Sequence, residues 1–225
     1  MSGVKIKICG ITNPEDARVA VEAGADALGF VFHRSSPRSV DAEMVRWIVA
    51  QLPPFVLPVG VFVNEDVKKV RDLMDACGLA LAQLHGEETV VYCETLGRPV
   101  LKTIRLRDRG SLLALAEFQG RARVRGFVLD AFSEKAYGGT GETVDGTLAA
   151  EAAKAAKVLL AGGLKPDNVA EAIRQVRPYG VDVSSGVEAR PGKKDPEKIR
   201  TFINAVKLVS ASLEGYTGSH RGDRA

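Results

Sequence analysis

Cysteine is scarce: Cys9, Cys77 and Cys93 are the only three in 225 residues. They are too few and too irregularly spaced for a disulfide framework or a zinc site, and the chain reads as a reduced, cytoplasmic protein. Long apolar runs are also missing. No stretch approaches the ~20 apolar residues that span a bilayer, and the N-terminus lacks the apolar core of a secretory leader, so no membrane partner is expected. Nor does charge of one sign dominate, because 31 Lys and Arg face 28 Asp and Glu and the net charge is only +3. The two signs are interleaved with no basic run, which argues against a nucleic-acid partner. What remains is an ordinary globular composition, with 45% hydrophobic residues and 23 glycines, sized for one domain.

Short β-rich runs alternate with amphipathic stretches from end to end. Strands are expected at Val4–Cys9, Ala27–Phe32, Leu57–Val63, Ala80–Leu84, Val100–Ile104, Gly126–Asp130, Val158–Ala161 and Gly180–Ser184. Helices are expected at Pro14–Ala23, Asp41–Gln51, Glu65–Ala76 and Pro166–Val176, among others. The strands are apolar on both faces, as in a parallel sheet covered by helices. Eight units leave about 28 residues each, near the minimum for a βαβ repeat, so no second domain fits. The fold class is therefore α/β, a single-domain (β/α)8 TIM barrel over residues 1–209; an open doubly wound sheet is the alternative. Thr12 or Asn13 before Pro14 marks a helix start, and Lys165-Pro166-Asp167 a similar one. Asn64 reads as a cap for the third helix. Residues 210–225 are polar and read as a disordered tail.

In such a barrel the active site lies at the C-terminal ends of the strands. Those ends carry Cys9-Gly10, His33 to Arg38, Asn64, His85-Gly86, Arg105, Asp130, Gly162-Gly163 and Ser184-Ser185-Gly186. The joins on the opposite side hold mostly Gly, Ala and Pro. Gly162 and Gly163 after strand seven, with Ser184, Ser185 and Gly186 after strand eight, fall where barrels commonly bind phosphate. Gly138–Gly141, after strand six, is a lid, a third phosphate wall or simply a flexible loop. Strand parity adds an internal expectation. If Cys9 points into the barrel mouth, Lys7 and Lys5 point inward beneath it, while Val4, Ile6 and Ile8 face the helices. An inward lysine beside Cys9 favours the thiolate. A buried lysine needs a partner, and Asp182 has the matching parity on the adjacent strand, so a Lys7–Asp182 or Lys5–Asp182 ion pair is expected.

Several of these segments carry a family resemblance. Lys7-Ile8-Cys9-Gly10-Ile11-Thr12, Gly24 to Phe32, Ser36-Pro37-Arg38, Val59 to Asn64, Gln83-Leu84-His85-Gly86 and Gly138-Gly139-Thr140-Gly141 resemble phosphoribosylanthranilate isomerases. Leu160 to Leu164 and Val181 to Glu188 complete an ordered set over about residues 4–206. One departure is Val144-Asp145-Gly146, where the family often shows Phe-Asp-Trp. The resemblance implies an Amadori rearrangement of a phosphorylated aminosugar in tryptophan biosynthesis, with no metal or organic cofactor. It makes Cys9 the general base and Asp130 the general acid, and gives Arg38 the substrate carboxylate. His85, Asp182 and the phosphate-loop residues join the substrate-binding set.

Each assignment has a plainer competitor. A lone cysteine is usually a small buried hydrophobe, a strand-end aspartate often caps a helix, and a loop arginine is usually solvated. His85 can equally be structural. As a general acid, Asp130 also needs surroundings that favour its protonated form, since a free Asp titrates near ≈ 3.9; Phe127 and Phe132 are its apolar sequence neighbours. A barrel lyase such as indole-glycerol-phosphate synthase is the alternative enzyme, with Lys102 on strand five as its catalytic lysine, and a non-catalytic phosphate-ligand sensor ranks last. Oligomeric state is open between monomer and homodimer.

Overall fold

The computed structural model describes residues 3–130 and 146–218. In chain order it runs β1 (Lys5–Cys9), α1 (Pro14–Ala23), β2 (Ala27–Val31), α2 (Ala42–Val49), β3 (Leu57–Phe62), α3 (Val67–Cys77), β4 (Leu81–Leu84) and α4 (Val90–Leu96). It continues with β5 (Val100–Arg105), α5 (Gly110–Phe118), β6 (Val124–Asp130), α6 (Gly146–Ala155), β7 (Val158–Ala161), α7 (Val169–Val176) and β8 (Gly180–Val183). A small antiparallel hairpin, β9 (Glu188–Arg190) and β10 (Lys193–Lys194), precedes the last helix, α8 (Pro196–Gly218). Strands β1 to β8 form a closed barrel, with β1 paired in parallel to β8 and Lys7 opposite Asp182. That pairing leaves no free edge and removes the open-sheet alternative.

The helix starts show why the local sequence folds as it does. Asn13, Asp41, Asp66 and Thr89 each accept a hydrogen bond from the backbone N–H three residues on, satisfying a donor the helix cannot pair itself. Asp66 therefore caps α3, not Asn64. Asn64 instead takes a left-handed φ of 50°, and its Oδ1 accepts from the Glu87 N–H. Helix α7 begins at Val169, after a turn at Lys165–Asn168 in which Asn168 Oδ1 accepts from the Lys165 N–H. The proline there shapes the turn and not the first helical residue.

The chain from Ser210 onward is a second correction. Helix α8 runs on to Gly218, so the boundary expected at residue 210 falls inside a helix. The Ser210 hydroxyl is buried and accepts from the Val4 N–H at 3.0 Å, while Ser212 Oγ donates to the Val209 carbonyl. Polar composition misleads here because serine hydroxyls find backbone partners within and beside the helix. Residues 219–225, like Gly138–Gly141 and Phe132, lie outside the described residues.

Side chains divide by parity as the strands dictate. Ile6, Ile8, Leu28, Phe30 and Phe127 pack outward in the large core shared with the helices. Val59, Leu101, Val128, Leu159 and Ala161 form a separate inner cluster. Phe127, a sequence neighbour of Asp130, thus faces the helices. Above the inner cluster lies a polar layer of Lys7, Gln83, Thr103 and Asp182, all buried. Lys7 Nζ lies 2.7 Å from Asp182 Oδ2, whereas Lys5 pairs with Asp26 at 2.9 Å near the barrel's lower rim. Of the two expected pairings, the one one turn of the strand higher is formed.

Removing either partner strands a charge in the barrel interior. Lys7→Met should lower unfolding free energy by about 3–5 kcal/mol, and Lys7→Met with Asp182→Leu should recover most of it in urea titrations. A single variant as stable as the parent would show that the pair contributes nothing.

Candidate active site

The C-terminal ends of the strands surround a cavity of about 330 Å³, within the range for small-ligand pockets. Cys9, Arg38, His85, Asp130, Gly162, Gly163, Asp182, Ser184, Ser185 and Gly186 all line it. Every site residue expected from the sequence is therefore brought to one place, from six separate βα units. Cys9 and Asp130 reach it from strands three steps apart around the ring.

Cys9 ends β1 beside Gly29 of β2, where a side chain would collide with its sulfur. Burial pushes the thiol above its ordinary range, the Lys7 ammonium pulls it down, and Asp182 pushes it up again; the balance is upward. Lys7 thus favours the thiolate, as parity suggested, yet does not outweigh burial. Lys7 itself is disfavoured as a cation by burial, but Asp182 and the cysteine more than compensate and raise it. The lysine stays charged and waits beneath a largely protonated thiol.

Asp130 stands at the rim with its side chain 40% exposed, and its Oδ2 is 3.8 Å from His85 Nε2. His85 Nδ1 lies 3.3 Å from both Gln83 Nε2 and Thr103 Oγ1. With the Gln83 amide N–H₂ facing Nδ1, the ring proton is assigned to Nε2, toward Asp130. Burial lowers the histidine below its usual range despite the nearby Asp130 carboxylate, so the ring is neutral at physiological pH. Asp182 Oδ1, Gln83 Oε1 and Ser184 Oγ are buried without a partner among the described residues, and all three residues line the cavity. They offer hydrogen bonds to a polyhydroxylated ligand.

The loops after β7 and β8 form one wall. Gly162 and Gly163 are both left-handed, with φ of 83° and 67°. A Cβ on Gly186 would collide with the Leu164 carbonyl, so the two loops pack backbone to backbone. Beside that wall, over Gly10, Arg38 is held by Glu188, with Nε donating to Oε1 at 2.8 Å and Nη2 to Oε2 at 2.7 Å. Burial alone would raise the Glu188 carboxyl, but Arg38 and Lys194 hold it below the usual range.

A family model described as PRAI, N-(5'phosphoribosyl)anthranilate (PRA) isomerase, matches residues 6–205. The chain belongs to that isomerase family. The N-(5'-phosphoribosyl)anthranilate isomerase of Pelobacter propionicus is 55% identical, over 91% of this chain and 96% of its own. That of Geobacter sulfurreducens is 52% identical, over 91% and 98%. The crystal structure of phosphoribosyl anthranilate isomerase from Thermotoga maritima has a TM-score of 0.82 at 43% identity, covering 91% of this chain and 99% of that one. A family structure in complex with reduced 1-(o-carboxyphenylamino)-1-deoxyribulose 5-phosphate has a TM-score of 0.81 at 41% identity, with the same coverage. Monomers generated from the dimeric Thermotoga maritima isomerase give 0.80 at 38% identity, again covering 91% and 99%.

The isomerase family accounts for what the lyase alternative does not. Lys102 lies outside the lumen, its Nζ donating to the Leu84 and Gly86 carbonyls and to Glu88 Oε2 and standing over the Phe118 ring. It ties the β4 loop to β5 and is not presented to substrate. Glu188, Lys194 and Thr103 are site-supporting residues that sequence reasoning missed. Glu188 was visible only as the last residue of a motif, and nothing local announces a partner 150 positions away.

The upward balance on Cys9 has a sign that alkylation can read. Because the thiol is protonated at neutral pH, its reaction with iodoacetamide should climb with pH and still be rising at pH 9. Mass mapping of the Cys9 peptide would follow it. A rate that levels off near neutrality would mean that Lys7 dominates after all.

Proposed function

We propose that this isomerase opens and rearranges N-(5'-phosphoribosyl)anthranilate with Asp130 as general acid and Cys9 as general base. The observation that carries the assignment is the placement of both groups on non-neighbouring strands of one cavity that an arginine and a glycine-serine wall also line. The phosphate lies against Gly162, Gly163, Ser184, Ser185 and Gly186, where exposed backbone and hydroxyls suit an anion. The aryl carboxylate lies on Arg38. Between them the ribose reaches Asp130 and Cys9.

Asp130 gives its proton to the furanose ring oxygen as the C1–O bond breaks, and the nitrogen lone pair forms the C=N bond of a Schiff base. Cys9 first loses its thiol proton to solvent; as thiolate it takes the proton from C2, and the C2–H electrons form the C1=C2 bond of an enolamine while the C=N electrons return to nitrogen. Tautomerisation of the C2 enol gives the ketone of 1-(2-carboxyphenylamino)-1-deoxyribulose 5-phosphate. Lys7 stabilises the thiolate in the second step, and Asp182 keeps that lysine from being stranded when the cysteine is neutral. Asp182 Oδ1 and Ser184 Oγ are placed to meet ribose hydroxyls. Cytoplasmic placement is supported by three free, buried cysteines.

An assay that forms the substrate in situ and follows its fluorescence separates these roles. Cys9→Ala and Asp130→Asn should each lower turnover by roughly 10²–10⁴-fold, the range for positioned acids and bases. Activity surviving either change would reject that residue's role. Arg38→Lys should raise KM more than it lowers kcat.

A homodimer is supported by the dimeric Thermotoga maritima relative and by an exposed apolar face. Phe55 is 93% exposed in the α2–β3 connection, and Trp47 and Leu57 on either side are about half exposed. Light scattering should show a dimer that Phe55→Glu converts to monomer. A parent protein that is monomeric at micromolar concentration would refute this.

A further inference from the structure

The proposed chemistry makes no use of the Glu188 carboxylate, which is 7% exposed and satisfied on both oxygens. Besides the two bonds from Arg38, its Oε1 accepts from Lys194 Nζ at 3.0 Å. Lys194 also donates to the Ser184 carbonyl at 3.1 Å, and Lys198 Nζ donates to the Glu188 carbonyl at 2.9 Å. The β9–β10 hairpin that carries this carboxylate is itself braced. Asp16 Oδ2 accepts from the Lys194 N–H at 2.8 Å, Asp16 Oδ1 from Lys193 Nζ at 2.8 Å, and the Gly192 carbonyl from Thr12 Oγ1 at 2.6 Å. Glu188 is therefore fixed relative to both the first βα loop and the β8 loop.

Arginine presents five N–H groups in one plane. Nε and one Nη2 hydrogen are committed to Glu188, which leaves the Nη1–Nη2 edge for a second carboxylate in the same fork geometry. The stem is also placed. A Cβ on Gly10 would lie 2.7 Å from Arg38 Cδ, so the arginine crosses the backbone directly after Cys9.

We propose that Glu188 is a positioning residue that sets Arg38 at a fixed span from the Ser184–Gly186 loop, so that only a ligand bearing both a phosphate and a carboxylate at that span is held at both ends. The inference rests on the reading that Arg38 receives the aryl carboxylate. Glutamine at 188 retains one acceptor but turns an N–H₂ toward Nη2, where donor meets donor, and the guanidinium swings from its place. The loss should then be confined to ligands that carry the carboxylate.

Calorimetry with two probes tests this: reduced 1-(o-carboxyphenylamino)-1-deoxyribulose 5-phosphate and its counterpart lacking the carboxyl group. Glu188→Gln should weaken the first by about tenfold and the second by no more than about twofold. In steady state it should raise KM with little change in kcat. Equal weakening of both probes would mean that Glu188 acts through the phosphate loop or the fold, and would overturn the proposal while leaving the Arg38 reading intact. Arg38→Met should abolish discrimination between the probes; if discrimination persists, the clamp reading itself fails and Glu188 falls with it. Should Glu188→Gln fold poorly because Lys194 is left buried with its charge, Glu188→Gln with Lys194→Met removes both charges and should show the same selective loss.

Discussion

Lys7 and Asp182 face each other on adjacent strands inside the barrel, and neither can lose its charge without stranding the other. The inner surface of a closed eight-stranded sheet is narrow, and its lower layer is filled by Val59, Leu101, Val128 and Leu159. A charged pair placed directly above that layer is an expensive choice for stability alone. Its position explains the choice: it forms the floor of the cavity and lies against the one thiol that ends β1. Burial, which opposes ionisation of Cys9, also lets Lys7 act on it at close range with little solvent screening. The same low-dielectric setting thus keeps the thiol protonated and strengthens the charge that would stabilise its thiolate.

Around that floor, the loops after β7 and β8 offer backbone and hydroxyls, while the loop after β2 offers a guanidinium with one edge already taken by Glu188. Two cations, Arg38 and Lys194, share one carboxylate, and burial then lowers Lys194 despite that partner. Lys194 also donates to the Ser184 carbonyl, so this cationic cluster links the arginine to the β8 loop.

Most of the barrel was legible because its signals are local and repeated. Parallel strands buried on both faces read as short apolar runs, and Pro14 and Asp41 mark helix starts in the sequence itself. Parity placed Lys7 under Cys9 and left Lys7 and Lys5 as partners for Asp182, between which the strand register chooses Lys7. What stayed hidden depends on tertiary partners. Asn64 looked like a cap, yet the β4 loop claims its side chain and Asp66 takes the task. Ser210 looked like the start of a tail, yet the Val4 N–H gives it a buried partner. The Glu188 link could not be read because a three-residue strand leaves almost no pattern and its partner belongs to the second loop.

Barrel closure also has a temporal side. The floor of the cavity joins residues 175 positions apart, and the Arg38 brace joins residues 150 apart. Asp130 lies between them, near the middle of the chain. A ribosome releasing this polypeptide from its N-terminus therefore exposes Cys9 well before it has its electrostatic setting. Until the eighth strand and its hairpin emerge, the nascent chain has a lysine without a counter-charge where the floor will be, and an arginine with nothing to aim it. The cavity is thus completed only when synthesis is nearly finished, and a chain cut short before the last repeat lacks the partners of both Lys7 and Arg38.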